Sequence, residues 1–152
     1  MTRSLIVALG ADHGGITLKN RLAAAMAEAG HQLLDFGTDG PASVDYPDFA
    51  HAVCGAVAGG QADLGILVCG TGIGMSIAAN RNPAIRCALV HDVTTARLTR
   101  AHNDANVLAL GARIIGEEVA LDILQTFLST PYEGGRHDRR LAKLNPSTEP
   151  AA

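Results

Sequence analysis

Cys69 stands directly before three alternating glycines, Gly70, Gly72 and Gly74, with Thr71 and Ile73 between them. An apolar run, Leu64 to Val68, leads into the thiol, and a helical pattern follows it within the stretch 63–81. Strand, glycine turn and helix start, in that order, gather backbone N–H groups into a cradle for an anion or a developing oxyanion. Spacing then removes several uses of that cradle. A dinucleotide fingerprint needs Gly-x-Gly-x-x-Gly, whereas here the third glycine comes one residue early and the next strand ends on His91 before Asp92. No Gly-Lys-Ser or Gly-Lys-Thr is present for a nucleotide phosphate loop, and Met75 holds the place where a cysteine phosphatase loop wants an arginine. What survives is a loop whose amides, from Gly70 through Ile73 to Gly74, can hold an enediolate or a related oxyanion, with Thr71 as a hydroxyl relay.

Other residues offer chemistry with a plainer reading beside it. Cys69 itself can be a packed strand-end residue, although the helix start after it strengthens the case for a reactive thiol. Asp12 and His13 either cap the Gly14-Gly15 turn or bind a ligand. His102 closes a helical pattern, where a histidine often only complements the helix dipole. Arg136 and Arg140, one helical turn apart, belong to a solvated tail or grip a phosphate together. His31, His51 and His137 read as surface or loop residues, and Cys54 and Cys87 as core.

These residues must be positioned by an aliphatic framework. Of 152 residues 47% are hydrophobic but only 3% aromatic, so the core is built of small aliphatic side chains and close backbone contacts at 17 glycines. A net charge of −3 without a block of like charges argues against a nucleic-acid or anionic-membrane surface. The three cysteines lack metal or disulfide spacing, and no apolar run is long enough for a signal peptide or a span, so a reducing cytoplasm is expected.

Along the chain, strand and helix patterns alternate. Strands are expected at Ser4 to Leu9, Gln32 to Phe36, Leu64 to Val68, Ile85 to Val90 and Val107 to Leu110. Helices are expected at Ile16 to Ala29, from Pro47 to Ala58, from the glycine turn to about Asn80, from Val93 to Ala101 behind an Asp92 cap, and from Gly116 to Leu128. A polar tail from about residue 129 carries a short helix around His137 to Leu144 and frays after about 145. The alternation implies a single domain over 1–152, a doubly wound, Rossmann-like α/β fold with a five-stranded parallel sheet in three layers. In such sheets ligands bind beyond the carboxyl ends of the strands, where Asp12, His13, Cys69, His91 and Arg113 all fall.

Taken together, ADHGG, DYPD, CGTGIGMSIAAN, HND before NVLALGAR, and YEGGRH resemble the ribose-5-phosphate isomerase B family, which also includes galactose-6-phosphate isomerase subunits. The resemblance runs from Leu5 to about Arg140. It implies an aldose–ketose isomerase of sugar phosphates that works without a metal or organic cofactor. By the same resemblance Cys69 is the base that moves a proton between C1 and C2, Thr71 assists the hydroxyl proton, and His102 opens the furanose ring. Some members carry a glutamate in place of this base, at the position of Met75. Asp12, His13, Tyr46 and Asn103 would bind sugar oxygens, Gly70 to Gly74 the oxyanion, and Arg113, Arg136 and Arg140 the phosphate.

A geometric expectation accompanies it. Helices of this fold run antiparallel to the strands, so His102, at a helix C-terminus, should lie at the edge opposite Cys69. If both act on one sugar, the site is shared in a homodimer or dimer of dimers, with the tail packed on a partner subunit. Ribose 5-phosphate is the leading substrate, with allose 6-phosphate, galactose 6-phosphate and erythrulose 4-phosphate as alternatives. The loop 37–47 and the segment 91–95 are expected to line the sugar. A non-catalytic sugar-phosphate-binding subunit and a thiol hydrolase are the competing classes, the latter disfavoured by Met75 and the lack of an activating histidine nearby.

Overall fold

A computed structural model describes residues 3–146. Apolar β-branched and leucine runs form the strands β1 (Ile6–Ala11), β2 (Gln32–Asp35), β3 (Leu64–Cys69), β4 (Cys87–Leu89) and β5 (Val107–Gly111). Between and after them lie α1 (Ile16–Glu28), α2 (Tyr46–Ala58), α3 (Ile73–Ala79), α4 (Val93–Asn103), α5 (Glu117–Ser129) and α6 (Arg136–Leu141). All pairings are parallel and the order is β2-β1-β3-β5-β4, which puts β3 at the centre and the reversal of strand order between β1 and β3.

Side chains alternating along each central strand feed two cores, as a sheet buried on both faces requires. Val7, Leu9, Ile66, Val68, Leu108 and Leu110 pack with Leu22 of α1, Ala96 of α4 and Phe127 of α5. Ala8, Leu67, Cys69, Val107 and Ala109 turn to the other face, against Val53 and Cys54 of α2 and Met75 and Ala79 of α3. The three-layer arrangement expected from the alternating pattern is the one observed.

Boundaries differ where local chemistry decides them. β4 is shorter than the run Ile85 to Val90, because this edge strand pairs with β5 alone and only through Cys87, Ala88 and Leu89. α4 runs on past Ala101 to Asn103 and stops where Asp104 takes a left-handed φ of +43°. The carboxylate of Asp104 receives Arg100 at 3.0 Å and Arg86 at 3.4 Å, which fixes this turn at the amino ends of the strands. α6 begins and ends earlier than His137 to Leu144. The segment after α5 folds back on its own chain, with the Glu133 N–H donating to the Ala101 carbonyl and the Asn145 amide to that of Pro83. Fraying beyond 146 lies outside the described residues.

Candidate active site

The residues singled out in the sequence form two groups, at opposite ends of the sheet. At the carboxyl end, Cys69 is the last residue of the central strand and is 5% exposed. Its Sγ accepts the N–H of Gly72 at 3.2 Å. That geometry depends on the φ of +76° at Gly72, which starts α3 and which an L side chain rarely adopts. The Cys69 and Gly70 carbonyls accept the N–H groups of Ala112 and Arg113, each at 2.9 Å, so the loop after β3 is tied to the loop after β5. Thr71 is exposed, and its Oγ1 accepts the Ile73 N–H at 3.3 Å.

The neighbours of this loop arrive from three other elements. The β1–α1 turn presses against the end of β3 at Gly15, where a Cβ would stand 2.7 Å from the Val68 carbonyl carbon. In that turn Asp12 is buried, and its Oδ1 accepts the Gly14 N–H at 2.9 Å. His13 is exposed and its Nδ1 accepts the Val44 N–H at 3.2 Å, which holds the loop 37–47 over the site. The Tyr46 ring, at the start of α2, lies over Gly74, where a Cβ would stand 2.6 Å from its Cε2. Arg113 lies along Gly70, with its Nε 3.6 Å from the place of a Gly70 Cβ. Cys69, Thr71, Asp12, His13, Tyr46, Arg113 and the 70–74 amides are therefore one group.

The other two thiols are of another kind. Burial pushes the Cys54 thiol up to about 11, and burial followed by the proximity of Cys54 raises Cys87 further. Cys54 belongs to the core, as its place inside a helix suggested, whereas Cys87, expected there too, is only partly buried on the edge strand β4 and packs against that core.

The second group sits at the amino end, separated from Cys69 by the length of β5, roughly 15 Å for five residues in a strand. His102 and Asn103 form the last turn of α4, and Arg136 and Arg140 lie on the exposed side of α6 beside it. The structure thus places α6, which carries Arg136 and Arg140, beside the last turn of α4, which carries His102 and Asn103, and none of the four near Cys69. Two members of this group were missed in the sequence. His137 is not a surface residue: its side chain is 5% exposed and stacks on His102 with ring centroids 4.4 Å apart and planes 18° from parallel. Glu133 faces both rings, its Oε2 3.8 Å from His102 Nε2 and 3.6 Å from His137 Nε2. The signal available was the spacing of four between Glu133 and His137, obscured by the intervening glycines.

With this geometry in view, the ribose/galactose isomerase family model matches residues 7–144. The chain belongs to that family. Ribose-5-phosphate isomerase B of Escherichia coli is 47% identical over 138 residues, covering 91% of this chain and 93% of that one. D-erythrulose-4-phosphate isomerase of Pectobacterium atrosepticum is 40% identical over 142 residues, covering 92% and 93%. A solved structure of Clostridium thermocellum ribose-5-phosphate isomerase B superposes with a TM-score of 0.90 at 49% identity, covering 91% of this chain and 93% of that chain. Both edge groups fall within the span that the isomerase family model matches. Among the described residues, no helix is long and apolar enough to cross a membrane.

Proposed function

We propose that this isomerase interconverts the aldose and ketose forms of a sugar phosphate, with D-ribose 5-phosphate and D-ribulose 5-phosphate as its pair. The observation that carries the reading is the buried Cys69 sulfur, 3.2 Å from the Gly72 N–H, at the mouth of a loop of backbone donors in a chain of this family. His102 donates a proton to O4 as the C1–O4 bond of the furanose breaks and O1 loses its proton. Cys69 then takes the proton from C2, and the amides of 70–74 hold the oxyanion of the enediolate. Thr71 carries the hydroxyl proton from O2 to O1, and the same sulfur returns its proton to C1. Asp12, His13, Tyr46 and Asn103 hold sugar hydroxyls, while Arg113, Arg136 and Arg140 hold the phosphate. No step draws on a metal or an organic cofactor.

The two groups act on one sugar only across a subunit boundary, so we assign the active unit to a homodimer, or a dimer of dimers, working in the cytoplasm. Ile73, Ile77 and Ile114, all more than half exposed beside the Cys69 group, offer an apolar face for the partner. The C-terminal segment carries His102's companions to the partner's cradle. Two measurements test this. In D2O the wild-type chain should place solvent deuterium on the substrate carbon without releasing phosphate; phosphate release instead would indicate hydrolysis. Mixing Cys69→Ala with His102→Ala chains should restore activity toward roughly a quarter of wild type, because half the dimers are hybrids with one of two sites intact. No recovery under conditions of proven subunit exchange would sink the shared site. A panel of four-, five- and six-carbon sugar phosphates compared by kcat/KM tests the substrate.

A further inference from the structure

The cluster His102, Glu133 and His137 is not accounted for by a ring-opening histidine alone. His137 is buried, and its Nε2 has no hydrogen-bond partner. A buried polar atom left unpartnered is uncommon and calls for an explanation. Two imidazoles and a carboxylate are also a zinc ligand set, and the three donor atoms lie within 4.8 Å of one another. The stacking argues against that use. An imidazole lone pair lies in the plane of its ring, so two rings 4.4 Å apart and 18° from parallel aim their lone pairs side by side, not at one ion.

What the arrangement does restrain is the orientation of the His102 ring. The flat face of His137 fixes the plane of the ring. The Glu133 carboxylate stands 3.8 Å from Nε2, a distance that attracts that edge of the ring without a hydrogen bond and so biases its rotation within the plane. Glu133 is itself held to α4, since its N–H donates to the Ala101 carbonyl at 3.0 Å. The turn that brings both residues back to His102 uses left-handed backbone at Gly134 and Gly135, with φ of +64° and +60°. Tyr132 braces the same turn by donating its hydroxyl to Asp138 at 2.7 Å.

We infer that Glu133 and His137 are positioning residues for His102, serving ring opening and not the proton transfer between C1 and C2. The inference rests on the isomerase reading and deepens it. Its test uses a chemical difference between the two substrates. Ribose 5-phosphate closes a ring through O4. Ribulose 5-phosphate cannot close one, because O5 is esterified, and it enters the site already open.

Net isomerisation of ribose 5-phosphate needs ring opening, whereas exchange of the C1 hydrogen of ribulose 5-phosphate with D2O does not. In Glu133→Gln, whose exposed side chain makes a folding defect easy to avoid, kcat for ribose 5-phosphate should fall about tenfold, as for other groups that orient a working histidine. Ketose C1 exchange should stay at the wild-type rate. His137→Gln should show the same split, while Cys69→Ala should lose both reactions. An equal loss of both reactions in Glu133→Gln would make the cluster merely structural, and no loss in either would make it idle; each result overturns the inference. A wild-type chain that neither isomerises ribulose 5-phosphate nor exchanges its C1 hydrogen would instead remove the ribose 5-phosphate reading on which the inference rests.

Discussion

The two ends of the sheet hold their chemistry in different ways. At the carboxyl end, Cys69 is fixed by main chain: a central strand, an N–H from Gly72, and two loops hydrogen-bonded to the residues on either side. At the amino end, His102 is flanked by side chains, one stacked ring and one half-exposed carboxylate 3.8 Å away, on the last turn of a helix. In the proposed roles, a base that must reach carbon needs a place set to a fraction of an ångström, which backbone supplies. A proton donor to a ring oxygen tolerates more adjustment, and side chains can be retuned without touching the fold.

This contrast can be broken in order of severity. Cys69→Ala should lower kcat by roughly 10³- to 10⁴-fold, the upper range for loss of a general base, in a chain that still unfolds cooperatively. Activity surviving at the wild-type level would remove the thiol from the chemistry. His102→Ala should cost about 10²-fold in ribose 5-phosphate turnover and leave ketose exchange intact, measured by proton NMR in D2O. Gly74→Ala should displace the Tyr46 ring and lower kcat/KM by about tenfold, the scale of one lost contact, mainly through KM.

The next two concern stability. Gly15→Ala drives a methyl group into the Val68 carbonyl, backbone against backbone, and should cost about 2 kcal/mol in urea denaturation. The smallest effect comes from Cys54. Its thiol ionises near 9.0 when unfolded and at about 11 when folded, so the unfolded chain holds fewer protons between those values. The contribution is complete below pH 9 and lost as pH rises through 11, so stability should decline across that window. Cys54→Ala should flatten the decline. In the native protein at pH 8, iodoacetamide should therefore spare Cys54 and Cys87.

Most of the carboxyl end was legible in the sequence because local pattern determines it. A five-residue apolar run read as strand, the alternating glycines as a turn, and the parallel sheet then placed Asp12, Cys69 and Arg113 at one edge. The order β2-β1-β3-β5-β4 was not legible, since insertion of β5 between β3 and β4 depends on packing between segments far apart in the chain. The amino end was harder for the same reason. His102 was placed correctly at its edge by the direction of helices, but His137 looked like one polar residue in a basic tail. Only the turn through Gly134 and Gly135 shows that this tail folds back and buries an imidazole. The stopping point of α4 also turns on a long-range cause, the Asp104 carboxylate gathering Arg86 and Arg100.

The distance spanned by β5 has a consequence for how the molecule must be assayed. On the proposed roles, a chain with its base at Cys69 and its acid at His102, a strand's length apart, has no way to close on a sugar by bending. Under the proposed shared site turnover reports association: on dilution, specific activity should fall with the fraction of paired chains, and a substrate held by two copies at once should draw them back together.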